Sequence, residues 1–163
     1  MEGFLTAADG ARLYYSVDDF TNAWEPSEAV LFVHGLAESA EVWRHWVPYF
    51  ARHYRVLRYD IRGFGQPTPM AAEHRWSIEE LMDDINRLLD HLAIPAAHVV
   101  GAKSGGTIAM KYAAEFPARV TKLGLSTAPI KGPVTKAWLE IIESRGVPAW
   151  ASETMPGRFG TAL

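Results

Sequence analysis

Two rhythms of hydrophobic and polar positions alternate along this chain. Residues 11–17 alternate polar with apolar side chains and are expected as an edge strand. Residues 29–34, Ala-Val-Leu-Phe-Val-His, form an unbroken apolar run closed by Gly35. That pattern predicts a strand covered on both faces of a parallel sheet. A turn region with Pro26 precedes it. Residues 39–52 place Val42, Trp43, Trp46, Val47 and Phe50 at helical spacing behind Ser39, a good cap. Residues 54–59 predict another strand, and 60–69 a Gly/Pro-rich loop. Ser77-Ile78-Glu79-Glu80 has the form of a capping box. It opens a helix with Ile78, Leu81, Met82, Ile85, Leu88, Leu89 and Leu92 along one side, ended by Pro95. A strand at Val99-Val100, a helix over 105–115 and a strand over 120–126 follow. Residues 134–144 read as an amphipathic helix, and 146–163 as a Pro/Gly-rich stretch without clear period.

Strands alternating with helices give the α/β class: a mostly parallel sheet with helices on both faces. Residues 1–130 read as its core and 131–163 as a separate region, and no internal repeat is present.

Composition narrows the chemistry. At 163 residues and 48% hydrophobic content, the chain can bury a sizeable core. Net charge is -3 and no Lys/Arg run occurs, which speaks against a nucleic-acid partner. There is no cysteine, hence no disulfide and no Cys-ligated metal, which suits a cytoplasmic setting. The start, Met1-Glu2-Gly3-Phe4, lacks a basic region and a long apolar run, and no stretch has the length of a membrane span, so no membrane partner is expected. No His/Asp/Glu grouping has metal spacing and no GxGxxG occurs, so neither a metal nor a cofactor is expected.

The candidate chemistry sits at residues 98–112. A buried strand runs into small residues, Gly101-Ala102-Lys103-Ser104-Gly105-Gly106, and then into a helix. This is the layout of a nucleophile elbow, Gly-x-Ser-x-Gly, in which a tight turn exposes one side chain. The frame Gly101 to Gly105 puts Lys103 at the apex; a looser frame, Ala102 to Gly106, puts Ser104 there. The strand runs directly into Gly101, and glycines stand second and third after Lys103, where the new helix passes close to the strand; both favour the lysine frame. A phosphate-binding loop fits poorly, because Ala102 stands where its last glycine belongs.

With these motifs in place, the chain resembles the α/β-hydrolase family, in its lid-bearing, small-molecule branch. Four segments match in order over about residues 11–129. His34-Gly35-Leu36 is similar to the oxyanion loop, and Asp60-Ile61-Arg62-Gly63-Phe64-Gly65-Gln66-Pro67 to an Asp-x-Arg-Gly-x-Gly-x-Ser loop with Pro67 in place of serine. Gly101 to Gly106 is similar to the elbow, and Glu115-Phe116-Pro117-Ala118-Arg119-Val120 to the link into the next strand. The resemblance implies an incomplete hydrolase core plus the start of a helical lid. It departs from the family at Lys103 and in length, since a family core would continue for roughly another hundred residues. The triad order is Ser, then Asp or Glu, then His. All six histidines (His34, His45, His53, His74, His91, His98) precede Lys103, so none suits that role. A complementary C-terminal polypeptide carrying the remaining strands, the acid and the histidine is therefore expected, as in a nicked or processed chain.

The resemblance implies a small, fairly apolar carbonyl substrate (an ester, a lactone, or a ketone whose C–C bond is cleaved). Its oxygen would sit at the N–H groups of Leu36 and Ser104. Lys103, at a helix N-terminus and partly buried, would lean towards the neutral amine. A neutral amine can form a Schiff base or act as a base. It suits ketone chemistry better than ester hydrolysis, whose amide intermediate would not turn over. Three readings stay open: a catalytic Lys103, a degenerate site kept for ligand binding or an engineered substitution, and Ser104 as nucleophile. Gly35, His34, Trp138 and Trp150 are the candidate substrate contacts, with His34 also read as ordering its loop. Trp43 and Trp46 are expected in the core, and Asp60 and Arg62 as an ion pair shaping the neighbouring loop.

Overall fold

The computed structural model describes residues 1–66, 70–129 and 136–159, as backbone alone from residue 155 onward. Pro67, residues 131–135 of the expected second region, and residues 160–163 lie outside the described residues. Six strands form one sheet: β1 (Glu2–Thr6), β2 (Arg12–Asp18), β3 (Ala29–Val33), β4 (Arg55–Tyr59), β5 (Ala97–Ala102) and β6 (Val120–Ser126). Their order is β1-β2-β4-β3-β5-β6. β1 and β2 join antiparallel, and every pairing from β4 to β6 is parallel.

The two faces explain why β3 is apolar throughout. Leu31, Val33, Leu57 and Val99 pack on one side with Ile85, Leu88 and Leu89 of α2 (Ile78–His91) and Ile108, Ala109 and Tyr112 of α3 (Ser104–Glu115). Val30, Phe32 and Val56 pack on the other side with Trp43 and Ala51. Each buried Val, Leu, Ile or Phe among these contributes about 1.5–3 kcal/mol.

The structure corrects three expectations. β2 is not the sheet's edge, because β1 pairs alongside it over Glu2–Thr6. Residues 39–52 do not form one helix: a 3₁₀ turn over Ala40–Trp43 gives way to a short helix, α1 (Val47–Phe50). Pro48 lacks the N–H that a continuous helix would use, so the helix restarts there. The stretch after Gly146 is not irregular; helical structure spans α4 (Lys136–Phe159) with a break at Gly146, φ 80°. Gly146 and Pro148 mark a joint between two helices rather than a loop.

The chain divides into two compact units, Met1–Ile130 and Lys131–Leu163. No described helix is long and apolar enough to cross a membrane.

Candidate active site

The site is built around one strained turn. β5 ends at Ala102, α3 begins at Ser104, and Lys103 between them adopts φ 53°, ψ -126°. A non-glycine residue held there costs on the order of 1–3 kcal/mol and persists only where its surroundings fix it. They do: Lys103 N–H donates to Ser126 O at 3.0 Å, and Lys103 O accepts from Gly106 N at 3.1 Å. Close approach demands the glycines. A Cβ on Gly101 would lie 2.6 Å from Gly105 O, and one on Gly105 would lie 2.1 Å from His34 O. The apex conformation therefore falls on Lys103, and Ser104 is the first residue of α3.

In front of the turn, Lys103 lies across Gly35, where a Cβ would sit 3.0 Å from the Cβ and Cδ of Lys103. Its Nζ makes an ion pair with Glu38 Oε1. The other oxygen of the same carboxylate accepts from Gly35 N–H at 2.8 Å. The Lys103 side chain is 46% exposed and that of Glu38 18%. The Lys103 side chain is thus half exposed and held against a carboxylate. Glu38 was not singled out in the sequence; its only signal was an acid three residues after Gly35.

Behind the turn the polar groups are buried. His34 is fully buried. Ile61 N–H donates to its Nε2 at 2.9 Å, so that nitrogen is bare, and its Nδ1–H donates to Gly35 O at 2.8 Å. Burial lowers the His34 pKa below the usual 6.5, the bond to Gly35 O and the nearby Asp60 opposing this in part. Asp60 accepts from Ala40 N–H and Gln66 N–H, each at 2.7 Å. A Cβ on Gly65 would lie 2.1 Å from the Asp60 carboxylate. The expected Asp60–Arg62 ion pair does not form, because backbone amides occupy both oxygens of Asp60. Arg62 instead grips Asp84 of α2 through two bonds, Nε to Oδ2 at 2.7 Å and Nη2 to Oδ1 at 2.5 Å. It also reaches Glu80 and Asp9. Burial pushes the Asp84 carboxyl up, against the pull of Arg62.

The remaining candidates fall elsewhere. His74 pairs with Glu80, His91 with Tyr15 and His98 with Glu28. His45 and His53 are exposed. Asp9, His74 and Glu80 come close enough to hold a metal, a grouping that no sequence spacing announced. Arg62 Nη1 already pairs with both acids of that trio, so a cation there would meet a guanidinium. Trp43 is core, whereas Trp46 is 48% exposed and meets Trp43 edge-on at its rim. In the second unit Trp138 and Trp150 meet each other edge-on at 5.6 Å.

A family model described as alpha/beta hydrolase fold matches residues 28–155. The chain is 33% identical over 134 residues to 3-oxoadipate enol-lactonase 2 of Acinetobacter baylyi, covering 82% of this chain and 48% of that protein. It is 31% identical over 124 residues to epoxide hydrolase B of Mycobacterium tuberculosis, covering 76% and 34%. A solved hydrolase from Pseudomonas aeruginosa superposes with a TM-score of 0.81 at 28% identity, over 98% of this chain and 58% of that one. The enol-lactonase of Burkholderia xenovorans superposes at 0.82 with 25% identity, over 94% and 58%. The chain thus spans about half or less of the length of these sequence relatives.

Proposed function

Because the chain belongs to the alpha/beta hydrolase fold family, we propose that it carries the elbow half of an enzyme acting on small apolar carbonyl compounds. Lys103 is the nucleophile, and the N–H groups of Leu36 and Ser104 receive the carbonyl oxygen. The observation that carries this reading is the φ 53°, ψ -126° conformation of Lys103 between β5 and α3. It sets an amine where the elbow pattern sets its nucleophile. An amine on a ketone yields a Schiff base, which withdraws electrons from a neighbouring C–C bond and opens it to cleavage. His34, whose ring nitrogens both bond backbone, positions the Gly35 turn from behind rather than touching substrate. Gly35, against Lys103, stays a substrate contact.

A further polypeptide segment completes the sheet in this reading. β6 is terminal among the described strands, and its Leu123 and Leu125 are 40% and 45% exposed. Such an edge invites another strand. That segment would bring the acid and the histidine, and the protein would work in the cytoplasm.

Borohydride reduction with pentane-2,4-dione tests the central step. The reading requires a stable adduct on Lys103, absent in Lys103→Ala and retained in Ser104→Ala. Loss of activity only in Ser104→Ala would instead make that serine the nucleophile. The ion pair with Glu38 favours a second reading, a non-catalytic ligand-binding protein in which the ammonium recognises its ligand. Saturable ligand binding with neither adduct nor turnover would establish it.

A further inference from the structure

The Glu38 carboxylate touches both the candidate amine and the candidate oxyanion loop, through Lys103 Nζ and Gly35 N–H. We infer that Glu38 is the acid–base partner of Lys103, shuttling its proton during Schiff-base formation; this rests on the lysine reading above. The starting geometry poses a problem that Glu38 answers. An ammonium has no lone pair, so Lys103 cannot attack until a proton leaves, and Glu38 Oε1 is already the acceptor in contact. Gly35 N–H holds Oε2, so the carboxylate stays oriented towards Nζ throughout. Four histidines have other partners: His34 is committed to Gly35 O and Ile61 N–H, and His74, His91 and His98 to other side chains.

The step balances without another reagent. Glu38 takes one proton from the Lys103 ammonium. The amine lone pair forms the N–C bond while the carbonyl π bond breaks onto oxygen, and the neutral Glu38 returns the proton there, giving a hydroxyl. Glu38 then takes a second proton from the attached nitrogen and delivers it to that hydroxyl. The C–O bond breaks, water leaves, and the nitrogen lone pair closes the C=N bond. One ammonium and one ketone become one protonated Schiff base and one water.

The test follows adduct formation on the full chain with pentane-2,4-dione and borohydride, read by intact mass across pH. Glu38→Gln keeps an acceptor for Gly35 N–H but cannot take a proton. It should slow adduct formation about a hundredfold, the usual scale of a lost acid–base group, and remove the limb of the pH profile that a titrating carboxylate contributes. Glu38→Ala should be slow too, and added formate should restore it in a concentration-dependent way, which a purely structural role would not permit. If wild type forms the adduct and Glu38→Gln forms it at the same rate with the same profile, Glu38 is no proton shuttle and the lysine reading stands. If Lys103 forms no adduct in any folded variant, the lysine reading and this inference fall together.

Discussion

The two sides of the Gly35 turn handle charge in opposite ways. Behind it, His34, Asp60, Arg62 and Asp84 are each exposed by 2% or less. Each has its polar atoms taken up by backbone amides or a facing charge. In front, Lys103 is half exposed, on a strained backbone, with the Glu38 carboxylate drawn against it. Burial without partners would be ruinous, so the rear network stabilises the fold by being complete. The front pair stabilises little, because exposed ion pairs contribute about 0–1 kcal/mol. A group that adds strain and little stability is the one to which a chemical role is proposed above.

The sharpest way to break this contrast is to remove the centre of the rear network. Arg62→Ala leaves Asp84 buried without its bidentate partner, and breaking a buried pair this way costs about 3–5 kcal/mol. Urea denaturation should show the midpoint falling by that equivalent. Replacing both residues together, Arg62→Leu with Asp84→Leu, should recover most of the loss, since the uncompensated charge is then gone. A single substitution costing under about 1 kcal/mol would put the rear network in the same class as the front pair.

His34 sharpens the comparison through pH. Its folded pKa lies below the 6.5 of an exposed imidazole, because burial disfavours the cation and Nε2 must stay bare to receive Ile61 N–H. Below pH 6.5 the unfolded chain therefore binds a proton that the folded chain refuses. Stability is complete above that pH and falls as pH drops through the window below it, by up to about 1.4 kcal/mol per pH unit. Thermal melting of wild type against His34→Gln between pH 7.5 and 5 measures this. The variant starts less stable but should lose the His34 share of the slope, and parallel slopes would remove His34 from the account.

How legible these two sides were in the sequence differs for a physical reason. The buried strands β3 and β4 and the helix α2 came from local apolar rhythm and the Ser77 cap, whose side chain accepts Glu80 N–H at 3.1 Å. The lysine apex also followed from local spacing, because Gly101, Gly105 and Gly106 are needed wherever strand and helix nearly touch. The partners of the polar residues were not legible. Arg62 meets Asp84 across 22 positions and Lys103 meets Glu38 across 65. Such pairings are set by strand order, which no local pattern encodes. Glu80 shows the same limit: it looked like the returning acid of a capping box, yet its carboxylate goes to Arg62 and His74. The edge strand β1 was missed because five residues with alternating half-burial carry too little apolar signal.

The smallest expected effect bears most directly on what the front of the turn is for. Lys103→Gly relieves a backbone conformation that glycine adopts without steric conflict, and it removes an ion pair of little worth. The strain released exceeds what is lost in contacts, offset in part by the greater chain entropy of glycine in the unfolded state. The variant should be equal to wild type or more stable by about 1 kcal/mol, while forming no adduct with pentane-2,4-dione. A gain or parity in melting temperature with complete loss of adduct separates chemistry from folding at one residue. Destabilisation comparable to that of Arg62→Ala would instead make Lys103 a structural member of the turn and erase the contrast between its two sides.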